Sequence, residues 1–227
     1  MTEAFNVDCL AYMKTLPDNA FDLAVVDPPY GDAGAGFATT NGTRFGERFN
    51  KYKSVERRGG QWAAKYSDKI VSWDVAPGAE YFAELFRVAK NQIIWGGNYF
   101  PLPPTRCFLV WRKTNIPLEG FSMAPAEYAW TSFPGNAKVF EFGSNVQAGR
   151  FHPTQKPPEL YRWIYANFAK QGGRILDTHL GSGSSRIAAY DAGLDFVGCE
   201  IDKSYFEAQE QRFAEHTAQI NLFVEGV

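Results

Sequence analysis

Long apolar runs, paired cysteines and an excess of charge are all missing from this chain of 227 residues. Without an apolar run of membrane-spanning length, no transmembrane helix is expected. Met1 to Asp8 lack the basic-then-apolar pattern of a secretory leader. The three cysteines, Cys9, Cys107 and Cys199, lie far apart and form no CxxC pair. That spacing argues against a disulfide framework or a zinc site and for a reducing, cytoplasmic setting. Net charge is only −2, which gives the chain as a whole no attraction for a polyanion. Internal repeats and low-complexity segments are also absent.

What is present suits a folded chain with a sizeable core. Hydrophobic residues make up 45% and aromatics 16%, enough to fill a core and too apolar for a disordered chain. Apolar runs bounded by turn signals alternate with helical patterns. Strands are expected at Leu23–Asp27, Gln92–Gly96, Cys107–Trp111, Glu127–Thr131, Lys138–Phe142, Arg174–Asp177 and Phe196–Glu200. Helices are expected at Ala79–Lys90, Pro157–Lys170, Ser184–Ala192 and Lys203–Ala218. The alternation implies one α/β domain over residues 1–227, a doubly wound and mostly parallel sheet with helices on both faces.

Residues 31–75 break this rhythm with glycines and charges and little periodicity, and read as an inserted mobile basic loop. Residues 44–69 hold eight basic side chains against three acidic ones, so this stretch carries +5 and the rest of the chain −7. Arg44, Arg48, Lys51, Lys53, Arg57 and Arg58 suit contact with a phosphate backbone, and Phe45, Phe49, Tyr52, Trp62 and Tyr66 are interleaved with the basic stretch. A solvated loop is the plainer alternative.

Two segments carry chemistry. Asp27-Pro28-Pro29-Tyr30 follows an apolar strand, at the end where open α/β sheets bind ligands. The prolines hold the chain extended and donate no backbone hydrogen bond. Asp27 and the Pro28 carbonyl thus form a cluster of acceptors for an exocyclic NH2, with Tyr30 placed to stack on an extruded base. The second segment, Asp177 to Ser185, follows another strand and opens a helix through Gly181 and Gly183. Arg186 stands where a dinucleotide fingerprint has its third glycine, and no Gly-Lys-Ser/Thr is present, so NAD and a P-loop are disfavoured. Glu200 ends the next strand, where a carboxylate accepts from ribose hydroxyls. Together these features indicate an adenosine-type cofactor.

These residues, in this order, resemble the S-adenosylmethionine (SAM)-dependent amino-methyltransferases of the permuted β class, DNA adenine-N6 enzymes of bacterial or phage type especially. DPPY at 27–30 resembles the family's catalytic motif, and His152-Pro153-Thr154-Gln155-Lys156-Pro157 its element lying against the cofactor. Gly181, Ser182 and Gly183 resemble its SAM loop and Glu200 its ribose ligand, while Asn6 to Cys9 resemble the segment holding the SAM adenine, with Asp8 accepting from its amine. The resemblance implies a circularly permuted Rossmann-like sheet in which Phe5–Asp8 supplies a strand. It implies Asp27, Pro28, Pro29 and Tyr30 as catalytic residues. It also implies a cofactor site of Asp8, Cys9, Asp27, His152, Thr154, Lys156, Asp177, His179, Gly181, Ser182, Gly183 and Glu200, and no metal.

The chain departs from the pattern where the family usually has Asp-Pro-Phe and this sequence has Asp177-Thr178-His179. His179 is expected to pack as a flat ring. The implied activity is methylation of a flipped adenine in DNA, in the cytoplasm at the nucleoid. The alternatives are a cytosine-N4 enzyme, which would more often have Ser at position 27, and a non-catalytic nucleic-acid-binding module retaining the fold. A homodimer is a further expectation, as family members commonly pair. Gln219 to Phe223, read as opening a C-terminal tail over 219–227, resembles the short peptides that dock on replication sliding clamps.

Overall fold

The computed structural model describes residues 1–31, 75–119, 124–144, 151–152 and 154–225. The basic residues from Arg44 to Arg58 lie outside the described residues. Eight strands form one sheet: β1 (Thr2–Phe5), β2 (Leu23–Val26), β3 (Gln92–Trp95), β4 (Phe108–Arg112), β5 (Ala126–Thr131), β6 (Lys138–Glu141), β7 (Arg174–Asp177) and β8 (Asp195–Cys199). Their order across the sheet is β1-β8-β7-β2-β3-β5-β4-β6. The first five in that order pair parallel, while β5 runs antiparallel to both β3 and β4. The helices are α1 (Cys9–Lys14), α2 (Ala79–Val88), α3 (Pro158–Phe168), α4 (Ser184–Asp191) and α5 (Lys203–Glu225).

The two-residue period of the strands sorts the core. Leu23, Val25, Ile93, Trp95 and Ile175 face one layer, packed with Leu160 and Ile164 of α3 and Ala188 of α4. Ala24, Val26, Ile94, Leu176 and Val197 face the other, packed with Met13 of α1 and Tyr81, Leu85 and Val88 of α2. β2 is buried along its whole length, which is why it reads as an unbroken apolar run.

Most element ends move by one or two residues, and two elements differ more from the sequence reading. The first strand is Thr2–Phe5, not Phe5–Asp8, because Asp8 instead caps α1, its Oδ1 accepting from the Ala11 amide at 2.7 Å. The last helix runs on to Glu225, since no proline or glycine interrupts it before Gly226, so Gln219–Phe223 falls within α5. Side chains from residue 220 onward lie outside the described residues.

The parallel register aligns the carboxyl ends of five strands. Phe5 pairs with Cys199 and Asp177 with Gly198. Ala24 pairs with Leu176 and Val26 with Ile94. The residues that follow these strands therefore converge on one edge: Asp8 after β1, Glu200 after β8, Thr178 to Gly181 after β7, Asp27 after β2 and Gly96 after β3. Among the described residues, no helix is long and apolar enough to cross a membrane.

Candidate active site

A cleft of 470 Å³ opens along that edge. Its size falls within the range of small-molecule sites. It is lined by both chemical ends of the sequence motifs, Asp27 and Tyr30 at one and Gly181 and Glu200 at the other, with His152 and Lys156 between them in the chain.

At the β2 end, both oxygens of Asp27 already have donors. The Tyr30 hydroxyl donates to Oδ1 at 2.7 Å, and the Lys156 ammonium donates to Oδ2. Tyr30 was expected to stack on a substrate base. Instead its ring stacks on Tyr99, with centroids 4.9 Å apart, and its hydroxyl holds the carboxylate. Burial and the neighbouring Asp27 push the Tyr30 phenol well above its ordinary pKa, so it remains a donor. Gly96 has φ +65°, and a Cβ added there would lie 2.1 Å from Tyr30 Cε1. Gly96→Ala is therefore expected to displace the ring and loosen Asp27. A misplacement on this scale lowers the transfer rate about 10²-fold, measurable by single-turnover methylation.

Behind Asp27 lies a chain of charges that the sequence reading missed. Lys156 also meets Glu127 Oε2 at 3.1 Å, and Glu127 Oε1 meets Lys113 at 2.6 Å. Lys156 and Lys113 are buried, and each ammonium lies over an indole, Trp95 at 5.3 Å and Trp111 at 5.2 Å. Burial opposes the charge on Glu127, yet the two lysines hold its pKa down to about 2. Burial likewise opposes the charge on Lys156, but Asp27 and Glu127 raise its pKa above the ordinary value. The signal available in the sequence was slight: one carboxylate, Glu127, at the start of an otherwise apolar strand.

At the cofactor end, Glu200 organises the glycine loop. Its Oε2 accepts from the Gly181 amide at 2.8 Å and its Oε1 from the Asp202 amide at 2.9 Å. Burial raises the Glu200 pKa against those two bonds. Gly181 has φ +51° and sits under the His152 ring, where a Cβ would come within 3.2 Å of Nε2. His152 in turn packs edge-on against Tyr205, with centroids 4.4 Å apart. Ser182 is buried and its Oγ pairs with Ser184 Oγ at 3.2 Å, while Gly183 is the N-cap of α4. Asp177 accepts from the His179 amide at 3.0 Å and from the Ser185 hydroxyl, and burial lifts its pKa to about 7. Asp8 lines the cleft while capping α1, and burial pushes the Cys9 thiol up to about 12, so Cys9 is an unreactive wall. Thr154 also lines the cleft and its hydroxyl is 3.3 Å from His152 Nδ1. Pro28 and Pro29 line it beside Asp27. Among the described residues, no group of three His, Cys, Asp or Glu is placed to hold a metal ion.

The mostly parallel sheet, with Asp27 and the glycine loop at one edge, has the fold of solved SAM-dependent methyltransferase structures. Comparison with solved structures agrees. The chain matches M1.HpyAVI in its SAM complex at TM-score 0.55 and 19% identity, covering 93% of this chain and 98% of that one. It matches the cytosine-N4-specific PvuII DNA methyltransferase at TM-score 0.60 and 12% identity, covering 100% of this chain and 95% of that one. More particularly, residues 128–211 match the N6_N4_Mtase family model, described as DNA methylase. A curated relative is the type II methyltransferase M.HinfI of Haemophilus influenzae, 23% identical over 249 residues, which covers 92% of this chain and 67% of that protein.

Proposed function

We propose that this chain transfers a methyl group from SAM to the exocyclic N6 amine of an adenine flipped out of DNA. The observation that carries the reading is the placement of the Asp27 carboxylate in the same cleft as the Gly181 loop and Glu200. The donor set fits the cofactor. Glu200 spends one lone pair of each oxygen on backbone amides and retains others for ribose hydroxyls. Asp8 keeps its second oxygen for the adenine amine, and His152 and Lys156 also line the cleft. When bound, SAM supplies an electrophilic sulfonium methyl.

The work left to the protein is to make a poor nucleophile available. The lone pair of an exocyclic amine is delocalised into its ring. Hydrogen bonds from both amine protons to Asp27 and the Pro28 carbonyl favour the pyramidal amine, with its lone pair free and in line for attack. Tyr30 and Lys156 fix the carboxylate in rotation, and each of its oxygens keeps a lone pair for the substrate. Once the methyl has moved, the amine proton is acidic and Asp27 is placed to accept it. The order of the motifs, with the catalytic strand ahead of the glycine loop and β1 beside β8, supports a circularly permuted sheet.

Cytosine N4 is the second reading, because the matched family spans both amines and a cytosine-N4 enzyme is among the similar folds. Asp rather than Ser at position 27 favours adenine. Incubating unmethylated DNA with the protein and labelled SAM, then digesting to nucleosides, separates the two. N6-methyldeoxyadenosine is expected, whereas N4-methyldeoxycytidine moves the assignment to cytosine and no labelled nucleoside refutes both.

The +5 charge between residues 44 and 69 supports DNA contact through phosphates. If Arg57 and Arg58 each neutralise one phosphate, replacing both with Ala lowers the slope of log affinity against log salt by about 2. Fluorescence anisotropy at several salt concentrations measures it, and an unchanged slope counts against the contact.

A further inference from the structure

His179 stands where the resembling family has an aromatic residue, and the residue is held by three contacts, two of them to its ring. Its backbone amide donates to Asp177, its edge meets Tyr81 with centroids 5.5 Å apart, and its Nδ1 lies 2.9 Å from Thr178 Oγ1. Thr178 Oγ1 also lies 2.6 Å from the Tyr81 hydroxyl. Tyr81 and Thr178 are both buried, and Oγ1 is the one polar partner shown for the Tyr81 hydroxyl.

The protons in this relay can be counted. A buried hydroxyl that fails to donate costs about 1–3 kcal/mol. Burial pushes the Tyr81 phenol well above its ordinary pKa, so it keeps its proton and must donate it to Thr178 Oγ1. Thr178 has a single proton and gives it to Nδ1 of His179. With Nδ1 donating instead, Oγ1 could still accept from Tyr81 through its second lone pair, but then either the Thr178 proton or the Tyr81 proton would have no acceptor among the contacts shown. Nδ1 is therefore the acceptor nitrogen, and Nε2 carries the hydrogen.

His179 lines the cleft, as do Val7, Asp8 and Cys9. With Nδ1 committed to Thr178, the remaining polar atom of the ring is Nε2–H. We propose that His179 is a cofactor-recognition residue, donating from Nε2 to an acceptor atom on the adenosyl group, in a tautomer set by Thr178 and Tyr81. The proposal rests on the reading of the cleft as a SAM site. Burial lowers the imidazole pKa to about 4, so the ring donates while neutral. Neutrality matters because a cationic imidazolium would repel the sulfonium in the same cleft.

Isothermal titration with SAM tests the contact. His179→Phe keeps a flat ring and removes the donor, and is expected to raise Kd about tenfold. His179→Gln puts an amide nitrogen where Nε2 stands and is expected to bind within threefold of wild type. A wild type that fails to bind SAM overturns the methyltransferase reading and this proposal together. A wild type that binds SAM, with His179→Phe binding within twofold of it, overturns this proposal alone. The tautomer is checked on the unmutated protein. The chain has only three histidines, so the ring nitrogens of a ¹⁵N-histidine sample are assigned by comparison with His179→Gln. An Nε2–H signal for His179 at pH 7 is expected, and Nδ1–H overturns the relay.

Discussion

Asp27→Ala is expected to abolish methyl transfer while leaving SAM affinity within about threefold of wild type. The separation follows from geometry. The ribose and adenine contacts proposed for Glu200 and Asp8 come from β8 and β1, whereas Asp27 ends β2, two strands from β8. Removing the carboxylate removes the group proposed both to orient the target amine and to take its proton. Loss of one preorganised group of this kind costs roughly 10²–10³ in rate, and here two roles are lost at once. The fold should survive with a lowered Tm, because Lys156 loses one of its two carboxylates but keeps Glu127 at 3.1 Å and the face of Trp95. A radiolabelled-methyl assay beside a SAM titration reads both halves. Turnover within tenfold of wild type refutes the role given to Asp27, and loss of SAM binding refutes the separation of the two ends.

Asp27 could be singled out from sequence because the role proposed for it is local. A carboxylate, two prolines and a tyrosine follow an apolar strand, and the structure places them in the cleft. Glu200 and the Gly181 loop could be singled out for the same reason, each being the end of a strand or the start of a helix. The layered sheet also followed from local pattern, since β2 and β7 are short apolar runs bounded by turns. What escaped is long-range. Glu127 reaches Lys156 through β5, which lies two strands from β2, and no spacing in the sequence brings these residues together. Tyr81 meets Thr178 across almost a hundred positions, 97 in sequence, so the tautomer of His179 was invisible. The orientation of Tyr30 depended on Gly96 leaving room for its ring, which is a fact about β3 and not about DPPY. The first strand was misplaced because Asp8 was read only as a ligand, whereas it is also the N-cap of α1.

Glu127→Gln should damage both stability and rate, through charge alone. The residues Lys113, Glu127, Lys156 and Asp27 alternate in sign and sum to zero. Glutamine keeps the shape of Glu127 but leaves two lysines facing one carboxylate, an excess of one positive charge in a poorly solvated place. Removing one partner of a buried ion pair costs about 3–5 kcal/mol. Glu127 keeps 28% exposure, so the lower end of that range applies. For a chain of this length about 3 kcal/mol lowers Tm by roughly 6–12 °C. Lys156 would also lose one of the two carboxylates that fix it, and Asp27 would lose rigidity. The rate should fall about 10-fold or more, with SAM affinity retained, since positioning errors appear in kcat. Adding Lys113→Met restores the charge balance and is expected to recover much of the lost Tm, which a purely steric effect of Glu127→Gln would not allow. Acid adds an independent check. The folded pKa of Glu127, about 2, lies below its ordinary 4.5. Its stabilisation is therefore complete above about pH 4.5 and is lost as pH falls toward 2. Wild type and Glu127→Gln should converge in stability over that window and differ most at neutral pH. A constant difference from pH 7 down to pH 3 would show that Glu127 acts by packing and not by charge.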